Sequence, residues 1–88
     1  MSTTPQGDFR RGVQVRYLRA WRMHRLLSQA ELSDRARLSV QGISAAEHGG
    51  RVRLGTLSRL AQALGVDREA LVRIPPPGDA HEEDTNHA

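Results

Sequence analysis

The side chains best suited to recognise another molecule lie on one face of residues 40–48. Gln41 carries an amide that donates and accepts hydrogen bonds at once, which matches the N6/N7 edge of adenine in a DNA major groove. Val40 and Ala45 are small and apolar and could pack on a thymine methyl, and Ser44 lies on the same face. At helical spacing these four side chains predict a base-reading surface. The alternative interpretation is an ordinary solvated helix face.

Two short helices joined by a tight turn, within residues 28–49, would position that face. Ser28 can cap the first helix, and Glu31 three residues later completes an S-x-x-E capping box. Ser39 opens the second helix in the same way. Because only about three residues, 37–39, separate the helices, they must cross sharply. This is the helix-turn-helix arrangement that places one helix in a DNA groove.

The stretch also resembles the XRE helix-turn-helix family of phage-repressor and Cro-like regulators, over roughly residues 15–72. The matching residues are Leu27-Ser28-Gln29 with Glu31-Leu32, Leu38-Ser39 with Ile43-Ser44, Glu47-x-Gly49, and Thr56-Leu57-x-x-Leu60-Ala61-x-x-Leu64-Gly65-Val66. Two positions depart from the family pattern. Arg37 stands where the turn often has glycine, so it must accept a left-handed backbone at a cost on the order of 1 kcal/mol. Ser33 replaces a small alanine, and its hydroxyl is expected to bond a carbonyl one turn back.

The resemblance implies roles for three further residues. Gln29, at the start of the first motif helix, is expected to bond a DNA phosphate, helped by the positive end of the helix dipole. Arg22 and Glu47 are expected to form an internal ion pair that ties the first helix of the domain to the recognition helix. Removing either partner would leave the other buried and unpaired.

Further phosphate contacts are predicted around the motif. Arg51 and Arg53 follow the recognition helix in a glycine-rich loop, where they could clamp the DNA backbone. Ser39 and Arg37 in the turn are also assigned to phosphate, with Arg25 as a weaker candidate. The competing interpretation of these arginines is a solvated basic face.

Charge is distributed unevenly along the chain. All 13 basic residues are arginines, and all lie between Arg10 and Arg73. Residues 9–74 contain five carboxylates, which leaves this region at +8, whereas the last eleven residues are acidic. A basic region attracts polyanions such as nucleic acid, although all-arginine usage also fits a GC-rich genome.

We expect an all-α fold, a compact five-helix repressor-like domain without strands. Residues 1–8 would form a disordered arm, residues 9–74 the DNA-binding domain, and residues 75–88 a proline-rich, then acidic, disordered tail. The expected helices span about 9–26 with Asp8 as cap, 29–36, 40–48, 56–64, and 68–73 with Asp67 as cap. Leu26 lies at the position after the first helix where glycine is usually favoured.

The expected core depends on leucine, because the chain has only one Trp, one Tyr and one Phe. Its members are Leu18, Trp21, Leu27, Leu32, Ala36, Leu38, Ile43, Ala46, Leu57, Leu60, Ala61, Leu64, Val66 and Leu71. A domain of this size buries only about 60% of its unfolded surface, so dimerisation would help to stabilise it.

The sequence does not favour an enzyme. There is no nucleophile–base pair, paired carboxylate or phosphate loop, and the four histidines, His24, His48, His81 and His87, have no metal-like spacing. We therefore predict no catalytic residue, no metal and no cofactor. The absence of cysteine is compatible with a reducing cytoplasm, and no apolar run suggests a membrane span or signal peptide.

The sequence thus predicts a cytoplasmic, nucleoid-associated regulator that binds double-stranded DNA as a homodimer on a palindromic operator and represses transcription. Dimerisation through the last two helices is implied by the family. An antitoxin or restriction-modification controller is the alternative, with the acidic tail from Asp79 folding on a protein partner. A protein-interaction adaptor without DNA binding would instead show weak, salt-insensitive duplex binding. RNA binding lacks an aromatic platform for stacking bases.

Overall fold

The computed structural model describes residues 12–77, which are mostly helical. The elements in chain order are β1 (Val13–Gln14), α1 (Leu18–His24), α2 (Gln29–Ala36), α3 (Val40–Glu47), β2 (Arg51–Val52), α4 (Leu54–Leu64) and α5 (Arg68–Arg73). The predicted five-helix domain with a central helix-turn-helix is confirmed. The arm predicted over residues 1–8, and the tail beyond residue 77, lie outside the described residues.

The helix-turn-helix consists of α2 and α3, and both helices begin where the sequence predicts. The Ser28 hydroxyl accepts a hydrogen bond from the Glu31 N–H at 3.0 Å, and the Glu31 carboxylate accepts one from the Ser28 N–H at 2.8 Å. The predicted capping box is therefore present. Ser39 caps α3 by accepting from the Gly42 N–H at 2.9 Å. Between the helices Arg37 adopts the expected left-handed conformation, with φ of 59°.

The prediction of no strands is wrong, since β1 and β2 form a small antiparallel ladder. Val13 lies opposite Val52, and Gln14 lies opposite Arg51. Gly12 precedes the ladder with φ of +85°, and a Cβ there would lie 2.6 Å from the Val52 carbonyl oxygen. Two-residue strands are too short to show an alternating pattern, so the sequence carried no recognisable signal for them.

The predicted start of the first helix is also wrong. The helix begins at Leu18, about ten residues later than expected, and Asp8 lies outside the described residues. Val15 falls within the helix expected over about residues 9–26, but it is buried from the segment between β1 and α1 instead. The Tyr17 N–H donates to the Leu71 carbonyl at 2.9 Å, which fixes this segment against α5.

Three local predictions need smaller corrections. Helix α4 begins at Leu54, two residues before the expected start. Asp67 occupies the N-cap position of α5, but its side chain makes no capping hydrogen bond. The Ser33 hydroxyl donates forward to the Leu38 carbonyl at 2.7 Å rather than one turn back. That bond braces the turn whose left-handed residue is Arg37.

A single apolar core joins all five helices. It contains the predicted residues except Leu38 and Val66, which are only partly buried, and adds Val15 and Ala70. Leu18, Leu32, Ile43, Leu60 and Leu71 are the largest fully buried side chains. The Trp21 indole N–H donates to the Ile74 carbonyl at 2.8 Å, which ties the end of the domain to α1. The core is thus leucine-based, as predicted.

The connection between α1 and α2 contains a leucine in an unfavourable, left-handed backbone conformation. Leu26 has φ of 60° and is 89% exposed. A residue with a Cβ pays about 1–2 kcal/mol in this conformation, and an exposed leucine gains little from burial in return. The sequence had identified this position as suited to glycine, and the observed backbone agrees.

We predict that Leu26→Gly raises the free energy of unfolding by about 0.5–1 kcal/mol, because relief of left-handed strain exceeds the entropic cost of glycine. Leu26→Ala is the matched control, since it removes the same exposed side chain but keeps the Cβ. Urea denaturation would compare the two. Equal stability of the glycine and alanine variants would show that the backbone at this position is not strained.

Candidate nucleic-acid interface

The two faces of α3 differ sharply in exposure. Ile43 and Ala46 are buried in the core, with 0% and 4% of their surface exposed. Val40, Gln41 and Ala45 are exposed on the opposite side, and Ser44 is half-buried beside them. The structure therefore brings the four predicted base-reading residues together on one accessible surface of one helix.

Gly42 and Gly50 hold the backbone at the two ends of that surface. A Cβ on Gly42 would lie 3.1 Å from the Ser39 hydroxyl oxygen, so glycine leaves room for the cap of α3. The Gly50 N–H donates to the Ala45 carbonyl at 2.8 Å, and a Cβ at Gly50 would lie 2.8 Å from the same oxygen. The chain can therefore turn directly from α3 into β2.

A buried ion pair anchors the inner end of α3. The Arg22 Nε donates to the Glu47 Oε2 at 2.6 Å, and the Arg22 Nη2 donates to the Glu47 Oε1 at 3.1 Å. The two side chains are only 12% and 2% exposed. Arg22 also donates through Nη1 to the Leu27 carbonyl at 2.8 Å. A planar guanidinium is suited to this two-bond geometry, which fixes direction as well as distance.

Gln29 joins the same network. Its Nε2 donates to the Glu47 Oε1 at 3.1 Å, so the first residue of α2 is bonded to the last residue of α3. Nε2 carries a second N–H that this bond does not use. The N–H groups of Gln29 and Ala30 also have no acceptor within their helix, because Ser28 caps only that of Glu31.

The network changes the ionisation of both charged groups. Burial disfavours the charged form of Glu47, but hydrogen bonds from Arg22 and Gln29 and the positive charges of Arg22 and Arg19 outweigh it. The pKa of Glu47 therefore lies below its ordinary value of 4.5. The hydrogen bond to Glu47 raises the pKa of Arg22 against the opposing effect of burial. Both groups are charged at neutral pH.

The remaining phosphate candidates lie around the motif. Arg51 and Arg53 are exposed, the first in β2 and the second just before α4. Arg37 is exposed in the turn, and Ser39 is exposed with its hydroxyl engaged in capping. The structure thus leaves all three guanidiniums accessible from solvent.

Arg25, a candidate for phosphate contact, makes contacts within the domain that the sequence did not predict. Its Nε donates to the Leu64 carbonyl at 2.8 Å, at the end of α4, and its guanidinium carbon lies 5.3 Å from the Trp21 ring centroid. The bond satisfies a carbonyl that the helix itself leaves free. Arg25 therefore links α1 to α4, a role that no sequence motif indicated.

The histidines in the described residues pack locally. The His24 ring meets the Trp21 ring edge-on at 5.5 Å, and the His48 Nδ1 lies 2.7 Å from the Ser44 carbonyl oxygen. Within residues 12–77 no group of His, Cys, Asp or Glu side chains is arranged to hold a metal ion. In the same residues, no helix has the length and apolar character that a bilayer crossing demands.

We predict that Glu47→Gln lowers the free energy of unfolding by about 3 kcal/mol, because the guanidinium of Arg22 stays buried without its counter-charge. Since the pKa of Glu47 is depressed in the folded state, its stabilisation is present above pH 4.5 and is lost as the pH falls through the folded value. The free energy of unfolding of the Glu47→Gln variant should therefore lack the part of its pH dependence that comes from protonation of Glu47. Urea denaturation between pH 3 and 7 would measure both effects.

The exposed Arg73–Glu69 pair, whose atoms lie 3.5 Å apart, supplies the control. Glu69→Gln should change stability by less than about 0.5 kcal/mol. Arg22→Met combined with Glu47→Leu should recover part of the lost stability, because no buried charge remains unpaired. Similar losses in the Glu47 and Glu69 variants would contradict an anchoring role for the buried pair.

Comparison with known proteins identifies the arrangement. A family model described as helix-turn-helix matches residues 18–71, more than half of the chain and the span from α1 to the fourth residue of α5. Neither the curated proteins nor the solved structures give a significant match. Domains of the matched family are DNA-binding and regulatory rather than typically enzymatic. The chain belongs to the XRE-type helix-turn-helix family and is a DNA-binding transcription regulator.

Proposed function

We propose that the protein represses transcription as a homodimer on a palindromic operator, with α3 of each copy in the major groove. The observation that carries the proposal is the division of α3 into a core face and an accessible face with Gln41 near its N-terminus. The helix has eight residues, so it is about 12 Å long. The major groove is about 12 Å wide and admits an α-helix, whose diameter with side chains is about 10–12 Å.

The accessible face supplies the sequence preference. The Gln41 amide would make a paired donor–acceptor contact with the N6/N7 edge of adenine, and Val40 and Ala45 would pack on thymine methyls. Ser44, half-buried beside them, would offer a hydroxyl at the edge of the same face. Together these four side chains favour half-sites that contain A·T pairs.

Phosphate contacts set the register of the helix in the groove. We assign them to the N-terminus of α2, through Gln29 and its unbonded first-turn N–H groups, and to Arg51, Arg53, Arg37 and Ser39. The helix dipole of α2 adds to the attraction. Because Gln29 is bonded to Glu47, a phosphate held at α2 would also be fixed relative to α3.

A dimer is favoured because one recognition helix supplies too little sequence discrimination. One base-reading glutamine contributes about 1–3 kcal/mol of discrimination. A genome offers on the order of 10⁶–10⁹ competing sites, so a single half-site cannot specify a promoter. Two copies related by a two-fold axis, with half-sites about 34 Å apart, double the information read from one side of the DNA. Occupying a promoter in this way would block transcription.

We predict that selection from a random duplex library recovers a two-fold symmetric motif. Gln41→Ala should lower affinity for that motif about 5- to 150-fold, the equivalent of 1–3 kcal/mol, while binding to unrelated DNA stays unchanged. Gln62→Ala on α4 is the control, since it removes the same amide from an exposed site away from α3. Sedimentation of the complex would count the copies bound.

A symmetric motif that tolerates Gln41→Ala without change would refute the assigned base contact. A single, asymmetric half-site bound by one copy would refute the dimer. Complete absence of DNA binding would favour the adaptor interpretation and turn attention to protein partners.

The phosphate assignments predict a change in salt dependence. Arg51→Gln and Arg53→Gln should each lower the slope of log affinity against log salt by about 0.9, to the same extent on the operator and on unrelated DNA. Arg68→Gln, which removes an equal charge from an exposed position on α5, should leave the slope nearly unchanged. Equal slopes in all three variants would mean that only the overall positive charge attracts DNA.

A further inference from the structure

Three arginines line one open depression in the domain surface. Arg35 comes from the end of α2, Arg37 from the turn after it, and Arg59 from the middle of α4, with Gln62 at the edge of the depression. All three arginines are exposed. We call Arg35, Arg37 and Arg59 the arginine cluster. Its position between two helices makes it a concave cationic surface rather than a scattered basic face.

The cluster lacks a carboxylate partner within residues 12–77. Ion pairs in that part of the chain join Arg22 to Glu47 and Arg73 to Glu69. Glu31 lies one turn before Arg35 on α2, but its carboxylate is held at 2.8 Å by the Ser28 N–H. Glu31 still interacts with Arg35 through space, but none of the three arginines forms an ion pair in that part of the chain. Three like charges therefore share one depression, an arrangement that favours a bound anion.

The chain itself contains a matching polyanion. Residues 78–88 carry Asp79, Glu82, Glu83 and Asp84 and no arginine. Ile74 is fixed to Trp21 by its carbonyl, and Pro76 is buried, so the chain stays against the domain almost to residue 77.

The end of the described chain lies close to the cluster. Ile74 and Gln62 line one shared depression, and Gln62 also lines the arginine cluster. Arg59 is a single helical turn from Gln62, about 5 Å along α4. The last acidic residue, Asp84, lies seven residues beyond residue 77, and seven extended residues span about 23 Å, enough for the acidic side chains to extend along the surface toward the arginine cluster.

We propose that the acidic segment, residues 78–88, docks on the arginine cluster of its own domain and competes there with DNA. A tether this short gives an effective concentration in the millimolar range, so weak ion pairs suffice. A second arginine group, Arg16, Arg51 and Arg73, lines another depression, but Arg73 there already faces Glu69. Docking lowers binding to unrelated DNA by removing cationic surface, including Arg37. It does not depend on operator recognition by α3.

Contact between the segment and the cluster is measurable without DNA. The chain has no cysteine, so Thr85→Cys provides a unique site for a nitroxide spin label just after the acidic residues. We expect the label to broaden the amide signals of Ala36, Gln62 and Ala63 at low salt, and the signals to recover near 0.5 M salt, where the screening length is only a few ångströms.

Two charge-matched variants locate the contact. Arg35→Gln with Arg59→Gln should abolish the broadening, whereas Arg16→Gln with Arg68→Gln should leave it intact. Broadening confined to residues 13–16, or none at all, would overturn the proposal. So would broadening that survives loss of Arg35 and Arg59.

The effect on DNA is tested separately. Replacing Asp79, Glu82, Glu83 and Asp84 by their amides should tighten binding to random duplex at low salt about tenfold, because DNA then gains the released cationic contacts. In the Arg35→Gln, Arg59→Gln background the same replacement should change affinity much less. An equal gain in both backgrounds would show a diffuse charge effect and refute docking at the cluster. Failure of operator selection would leave the spin-label result unaffected.

Discussion

The ion pair of Arg22 and Glu47 is the interaction on which the geometry of the candidate DNA-binding surface depends. It joins α1 to the end of α3, and Gln29 extends it to the start of α2. Arg22 also bonds the Leu27 carbonyl and so fixes the connection between α1 and α2. Helix α3 and the N-terminus of α2 are therefore held by one carboxylate. Desolvation makes such a pair a poor source of net stability, so its main contribution is orientation.

Much of the domain could be predicted from sequence because its signals are local. The capping serines, the left-handed turn at Arg37 and the apolar spacing of α4 are each determined within a few residues. The start of α1 and the β1–β2 ladder were missed because they depend on contacts between distant segments. Val13 pairs with Val52, and Tyr17 bonds Leu71, and neither partner is visible from the neighbouring residues. The bond from Arg25 was missed for the same reason, since its acceptor, the Leu64 carbonyl, belongs to α4.

Two non-glycine residues in left-handed conformation bracket α2, Leu26 before it and Arg37 after it. Each costs free energy, yet each lets the chain reverse within two or three residues. Short connections keep α1, α2 and α3 packed around a small leucine core that has little surplus stability. The Ser33 hydroxyl bond to Leu38 and the Arg25 bond to Leu64 reinforce the chain near these reversals. Side-chain hydrogen bonds thus compensate for backbone strain in a core with few aromatic residues.

The separation of α3 into two faces has a consequence for how this lineage can change over evolutionary time. Its inward residues, Ile43, Ala46 and Glu47, serve the core and the ion pair, whereas the side chains of Val40, Gln41 and Ala45 contribute no hydrogen bond to the fold in residues 12–77. Mutation can therefore exchange the outward residues without removing a hydrogen bond or a buried core side chain. A duplicated copy could acquire a new target sequence in a few steps while retaining its architecture, which makes the domain an evolvable scaffold.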